Sequence, residues 1–219
     1  MSGAAARRSQ ILEGIAAAAK VAARDPAEIA LVAVSKGRSG AEIEALIEAG
    51  QVDFGESRVQ ETQTKWPGLI ARHPGIRLHA IGRLQSNKAA EAVRLFDAIH
   101  SLDRASLLES LVKEAETAAR FPGVYVQVNI GEEEQKGGCP IGDIGALVDV
   151  VRKSPLPLAG LMAIPPAGVE PSPFFALLAE LGRRHGVTGL SIGMSGDFKT
   201  AVMLGATAVR VGTALFEDQ

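Results

Sequence analysis

Ile29-Ala30-Leu31-Val32-Ala33-Val34-Ser35-Lys36 is an apolar run that ends in a serine and a lysine. Continuous apolarity with β-branched Ile29, Val32 and Val34 predicts a parallel strand covered on both faces. The two-residue period puts Lys36 on the face of Val32 and Val34, and in a closed barrel that face is the lumen. Lysine is rarely fully buried without a partner. One at the C-terminal end of such a strand either snorkels to water along its aliphatic stem or is held for chemistry. The strand alone leaves both readings open.

Working outward, residues 5–24 carry Ile11, Leu12, Ile15, Ala18, Ala19 and Ala22 at helical spacing and predict an amphipathic helix ended by Asp25-Pro26. Downstream of Lys36 the chain alternates. A helix over 41–49 closed by Gly50 is followed by a strand at 52–55 and a polar helix from 57 to about 72. A strand at 76–82 leads to a helix starting near Ser86, and a strand at 95–100 leads to a helix over 104–119. A strand at 123–130, the charged loop GEEEQKGG (131–138) and a helix from about 142 to 153 come next. A strand at 156–164, a loop with Pro165, Pro166, Pro171 and Pro173, and a helix over 174–185 follow. Strand 189–195, helix 197–204 and strand 206–212 complete the series.

This alternation with short loops and no linker predicts one α/β domain over residues 1–219, a (β/α)8 TIM barrel at about 29–216 with an extra N-terminal helix at about 5–24. An open doubly wound sheet is the alternative, but Ser35-Lys36-Gly37-Arg38 stands where its Gly-x-Gly-x-x-Gly turn belongs. Barrel sites lie at the C-terminal strand ends, which places Lys36 at the mouth.

Of the 219 residues, 47% are hydrophobic and 22% charged, with a net charge of −2 and no dense run of lysine and arginine. That balance argues against nucleic acid or an anionic membrane and for a small-molecule partner. A lone cysteine, Cys139, excludes an intrachain disulfide framework and fits a reducing compartment. Arg7, Arg8, Glu13, Lys20 and Arg24 interrupt the alanine-rich start too often for a signal segment, and no apolar run reaches spanning length. The expectation is a soluble, cytoplasmic monomer without bound metal.

Ser191-Ile192-Gly193-Met194-Ser195-Gly196-Asp197 holds two glycines that allow close backbone approach, and Ser195 stands where a helix N-cap is expected. Gly212 and Thr213 after the last strand offer further backbone N–H groups, and loops after strands seven and eight commonly bind phosphate in such barrels. Ordinary strand-to-helix turns account for the same glycines. Arg210 lies in an otherwise apolar strand and needs an acceptor, either a barrel carboxylate or a ligand ring nitrogen. A lysine and a phosphate cradle at one mouth suit an aldehyde or ketone phosphate held as a Schiff base. A sugar phosphate and pyridoxal 5′-phosphate both qualify.

The blocks AVSK (33–36), FGESRVQE (54–61), HAIGRLQSNK (79–88), GLMAIPP (160–166) and SIGMSGDFKTAVMLGATAVRVGTALF (191–216) resemble the pyridoxal phosphate homeostasis protein family, the YggS/PROSC group. The resemblance implies a barrel like the N-terminal domain of alanine racemase, carrying pyridoxal phosphate as a Schiff base on Lys36. Ser195, Gly212 and Thr213 would hold the phosphate, with Met194 in the same loop among the cofactor contacts. Arg210 would face the pyridine nitrogen. An arginine keeps its proton, so the nitrogen would stay unprotonated and the ring would be a weak electron sink, as suits a carrier that stores the cofactor and delivers it to apo-enzymes. Ser57 departs from the family's usual asparagine, and Ala80 stands where an aromatic is common. Gly137 or Gly138 replaces a usual serine beside Lys136, which reads as a second amine near the mouth or as a solvated loop residue. His79 reads as a core histidine or as a group beside the cofactor. Glu56, Arg58 and Glu61 read as groups facing the mouth, or Glu56 as a helix-opening carboxylate; Trp66 and Tyr125 read as packing residues, and Cys139 as inert. An amino-acid racemase and a Schiff-base aldolase or isomerase are the rival activities. The racemase needs a second base, and the sole tyrosine, Tyr125, is read inside strand five.

Overall fold

In the computed structural model, which describes residues 3–217, parallel strands close a barrel in chain order. They are β1 (Ala30–Val34), β2 (Asp53–Glu56), β3 (Arg77–Ala80), β4 (Ala98–Leu102), β5 (Gly123–Gln127), β6 (Leu158–Met162), β7 (Leu190–Ser191) and β8 (Ala208–Val211). β8 returns to β1 with Val32 opposite Arg210, so the sheet has no free edge. The expected barrel forms, and the doubly wound alternative does not. Outside it lie α1 (Gly3–Val21), α2 (Gly40–Glu48), α3 (Val59–Arg72), α4 (Ala89–Leu95), α5 (Ala105–Ala118), α6 (Ile144–Arg152), α7 (Ser172–Arg184), α8 (Phe198–Met203) and α9 (Thr213–Phe216).

Strand periodicity divides the interior in two. Leu31, Ala33, Phe54, Leu78, Val124, Val126, Val209 and Val211 pack outward against Ile43, Leu46, Trp66, Leu107, Leu111 and Leu178 in one apolar core. At about 25 cal/mol per Å² of apolar surface removed from water, this shell is the main source of stability. The inward set is different in kind. Val32, Gly55 and Ala208 alternate around the lumen with Asp53, His79, His100, Tyr125, Ser191 and Arg210, where branched aliphatics usually dominate a barrel of this type.

Several boundaries differ from the sequence reading. β4 starts at Ala98 because α4 runs on to Leu95, and Ser101 and Leu102 belong to the strand. β7 stops at Ser191, and Gly193, at φ +93°, turns the chain away two residues later. An alanine there would place its Cβ 2.6 Å from that of Ala201. α2 starts with a reciprocal capping box between Ser39 and Glu42. α1 lies along α8 and α9, where Arg7 Nε donates to the Leu215 carbonyl and Arg24 to that of Val202. No helix among the described residues is long and apolar enough to cross a membrane.

Candidate functional site

Lys36 lies two residues beyond the end of β1, exposed, and its ammonium has no hydrogen-bond or ion-pair partner among the described residues. Its neighbours are tied down. Ser35 donates its N–H to the Gly55 carbonyl at 3.0 Å and its hydroxyl to Glu56 Oε1 at 2.7 Å. Lys65 Nζ donates to the Ser35 carbonyl at 2.8 Å, and Gly37 N–H donates to Glu61 Oε1 at 2.7 Å. The main chain is therefore pinned on both sides of Lys36 while its side chain stays free.

Glu56 is the pivot of this clamp, and it corrects the sequence reading. It closes β2 instead of opening α3 and is fully buried, with Oε1 accepting from Ser35 and Trp66 Nε1 and pairing with Lys65 at 2.7 Å. Breaking a buried pair of this kind costs on the order of 3–5 kcal/mol. Hydrogen bonds from Lys65 and from Gly37 N–H hold the Glu61 carboxyl below its usual range.

Beside Lys36, the loops after β7 and β8 meet. Ser195 does not cap α8, which begins at Phe198 after Asp197. Its Oγ instead accepts from Gly212 N at 3.3 Å and Ala214 N at 3.5 Å, tying one loop to the other. Gly212 faces Val34 so closely that an added Cβ would lie 3.4 Å from the Val34 Cβ. That puts the Ser195–Gly212 contact next to the residue two before Lys36. Thr213 opens α9. Met194 has an exposed side chain, and its N–H donates to Asp197 Oδ1 at 2.5 Å. A cavity of about 340 Å³ opens here, lined by Gln10, Ser195, Gly196, Asp197, Phe198 and Ala214 among others.

Below the mouth, Arg210 is 4% exposed. Its Nη1 donates to the Ser191 carbonyl and hydroxyl, both at 2.6 Å, and its Nη2 to the Ala163 carbonyl at 3.1 Å. Three of a guanidinium's five N–H hydrogens are thereby used. No carboxylate pairs with it among the described residues, so the barrel-carboxylate option fails. Burial lowers its pKa to about 10, against the raising influence of Asp197 and Tyr125, and at neutral pH it remains a cation. The Ser191 hydroxyl also meets His100 Nδ1 at 2.8 Å, His100 Nε2 meets His79 Nδ1 at 2.9 Å, and His79 Nε2 meets Asp53 Oδ1 at 2.9 Å. Asp53 accepts twice more from Arg77, at 2.8 and 2.7 Å. Burial pushes the Asp53 carboxyl up, but hydrogen bonds from His79 and Arg77 outweigh it and hold the group below its usual range. Burial, with His79 and Arg210 nearby, pushes His100 well below the ordinary histidine value. Tyr125 stacks on His100 with ring centroids 4.2 Å apart.

The structure thus groups Lys36, Ser195 and Gly212 at one side of the mouth, with Arg210 beneath and Thr213 and Met194 in the flanking loops. His79 is a lumen residue with both ring nitrogens bonded. Ser57 stands apart, in a cleft of about 260 Å³ with Arg58, Gln60, Gly82, Arg83 and Gln85. Lys136 shares a cavity of about 460 Å³ with Met194, Gly196 and Asp197, its ammonium paired with Glu133 at 2.6 Å and bonded to the Pro165 carbonyl at 3.3 Å. The Lys136 loop is no free hinge. Gly138, at φ +121°, packs so tightly that an added Cβ would meet Asn129 N at 2.4 Å, and Gln127 donates to the Gly137 carbonyl. Burial, with Asp143 and Asp103 near, pushes the Cys139 thiol up to about 12, so it is inert as a nucleophile at neutral pH. His100, Ser191 and Asp53 are the lumen residues that sequence reasoning missed. The available signal was a histidine inside a short, mostly apolar strand, as His100 in Ala98-Ile99-His100-Ser101-Leu102.

An accessible amine, backbone donors gathered around Ser195 and Gly212, and a buried cation with two unused N–H groups fit one ligand. It combines a carbonyl carbon, an anionic group and a neutral acceptor.

Comparison with known proteins bears on that ligand. Residues 10–219 match the family described as alanine racemase, N-terminal domain. A pyridoxal phosphate homeostasis protein of Pseudomonas aeruginosa is 38% identical over 99% of this chain and 96% of its own. One of Escherichia coli is 35% identical over 95% and 93%. The structure of PipY from Synechococcus elongatus with PLP bound is 37% identical and superposes with a TM-score of 0.80 over 93% of this chain and all of that one. An alanine racemase of Clostridium difficile, 15% identical with a TM-score of 0.69 over 95% of this chain and 56% of its own, shares the fold.

Proposed function

This chain belongs to the pyridoxal phosphate homeostasis protein family, and on that premise we propose that it binds pyridoxal 5′-phosphate reversibly at Lys36 and passes it to apo-enzymes without a reaction of its own. When bound, the cofactor supplies an aldehyde that an amine captures as a Schiff base. Lys36 provides that amine, held in place by the Ser35–Glu56–Lys65 clamp. Ser195, Gly212 and Thr213 take the phosphate, with Met194 closing over the same loop. Arg210 offers an unused N–H to the ring nitrogen and, keeping its proton, leaves that nitrogen unprotonated.

The observation that carries this reading is Arg210, a buried cation with no carboxylate beside it. Burying an ion costs several kcal/mol before compensation, and three neutral acceptors compensate in part. A ring nitrogen that accepts a further N–H suits that position.

The racemase reading needs a second proton-transferring group opposite Lys36. Tyr125 lies mid-strand in β5, and burial and Asp53 push its phenol above its ordinary value against the lowering influence of Arg210. It is a poor base at neutral pH.

Titration of the purified protein with pyridoxal phosphate tests the reading. A visible absorption band should develop, become irreversibly bleached by borohydride with the adduct on Lys36, and be absent in Lys36→Ala. The loaded protein should restore activity to an apo-transaminase while exchanging no amino-acid α-proton in deuterated water. A wild-type protein that stays colourless, or rapid Lys36-dependent exchange, overturns it.

A further inference from the structure

We infer that His100 and Ser191 are positioning residues, links in a one-directional hydrogen-bond chain that starts at the Asp53–Arg77 ion pair and fixes the guanidinium of Arg210 for its ligand. Each link follows from the one before. Asp53 accepts two bonds from Arg77 at 2.8 and 2.7 Å and is thereby held as a carboxylate. Its Oδ1 then takes the proton on His79 Nε2, which makes Nδ1 of that ring the acceptor. His79 Nδ1 takes the proton on His100 Nε2, which makes His100 Nδ1 the next acceptor. His100 Nδ1 draws the Ser191 hydroxyl proton toward itself. The Ser191 lone pairs are left facing Arg210 Nη1 at 2.6 Å.

The opposite order does not close. Were His100 to donate from Nδ1, Ser191 Oγ would receive two donors, from His100 and Arg210, and its own proton would have no acceptor among the described residues. In a site where these groups are almost wholly buried, an unpaired hydroxyl proton carries the full penalty of desolvation. Asp53 opens β2 and Arg77 opens β3, so the chain begins at the end of the barrel remote from the mouth. A single charge there sets the tautomer of two imidazoles and, through them, the aim of a cation under the site. The groups facing His100 are His79 from β3, Tyr125 from β5, Ser191 from β7 and Arg210 from β8. Among them Ser191 is the bonded group that touches Arg210.

The inference rests on the proposed ligand site only in its last step, and the test separates the two. In the apo-protein, nitrogen-15 NMR of the histidine side chains should show His100 protonated on Nε2 and bare on Nδ1 at pH 7. In Asp53→Leu, which removes both acceptor oxygens and does not touch His100, that fixed tautomer should give way to a mixture or to the Nδ1–H form. A wild-type His100 carrying its proton on Nδ1, or an unchanged tautomer in folded Asp53→Leu, overturns the chain whatever the ligand. Ser191→Ala should then weaken pyridoxal phosphate binding by roughly tenfold or more, the loss of one hydrogen bond to a charged group. It should still allow borohydride capture on Lys36. Wild-type affinity in Ser191→Ala overturns the positioning role.

Discussion

The mouth of the barrel and the lumen beneath it are built on opposite rules. At the mouth the Lys36 ammonium has no partner among the described residues, Met194 is exposed, and the donors around Ser195 are main-chain N–H groups at 3.3 and 3.5 Å. In the lumen, Asp53, His79, His100, Ser191 and Arg210 bond to one another at 2.9 Å or less along the whole chain. The rim amine is unpartnered and the bonds between the rim loops are long, whereas the lumen groups are linked by short bonds, with Arg210 keeping two N–H groups unused. The contrast assigns reactivity to the rim and orientation to the interior. A substitution at the rim should therefore change what is bound, and one in the interior how well.

Arg210 is where the two regions meet, so Arg210→Gln is the largest break in the comparison apart from Lys36 itself. The substitution removes the charge and the guanidinium N–H that the proposed site would direct at the ligand. At about 1.5–3 kcal/mol for a hydrogen bond to a charged group, affinity should fall by roughly 10- to 150-fold. Lys36 should still form a borohydride-trapped adduct at saturating pyridoxal phosphate, measured by mass. An unchanged dissociation constant would remove Arg210 from the site.

The interior also predicts an acid limit. His100 is held neutral in the folded protein, its pKa pushed well below the ordinary value by burial, His79 and Arg210. In the unfolded chain it titrates near 6.5. Between its lowered folded pKa and 6.5 the unfolded state therefore binds one more proton, so stability falls as pH falls, by at most about 1.4 kcal/mol per pH unit. Asp53 acts later, because its carboxyl is depressed: the stability it adds is present above about 3.8 and is lost as pH drops through its folded value. Urea denaturation of wild type and His100→Gln between pH 7 and 5 should show a shallower pH slope in the variant. Parallel slopes would mean that His100 gains its proton inside the folded barrel.

Much of this was legible in the sequence. Apolar continuity in 29–34 gave β1, alternation gave the barrel, and the serine and glycines near 195 and 212 marked the loops that meet beside β1. What remained hidden depended on neighbours far apart in the chain. His100 and Ser191 are 91 positions apart, and only closure of the barrel shows that they bond. Glu56 looked like a helix-opening carboxylate because the residues after it are helical, but β2 extends one residue further and buries it beside Trp66 and Lys65. Ser195 looked like a helix cap because serine favours that place. Its partners, Gly212 and Ala214, lie in another loop.

The smallest effect on affinity is expected at Lys136, and it sharpens the contrast by testing a rim residue that is already partnered. Its ammonium pairs with Glu133 and bonds the Pro165 carbonyl, half-shielded beside Met194. Surface pairs of this kind contribute about 0–1 kcal/mol to stability, and Lys136→Ala should leave the dissociation constant of pyridoxal phosphate nearly unchanged. Under the proposed function, Lys136, which shares a cavity with Met194, Gly196 and Asp197, would serve as a second amine that takes over the carbonyl carbon held by Lys36, releasing Lys36 as a free amine without free aldehyde. That exchange requires Lys136 to leave Glu133 and lose a proton. Lys136→Ala should then slow transfer to an apo-transaminase, whereas Ser195→Ala, which removes a loop-bridging acceptor in the cradle, should weaken binding itself by about fivefold. Stopped-flow transfer from loaded protein separates the two outcomes, and equal transfer rates in wild type and Lys136→Ala would make Lys136 a structural tether of its loop.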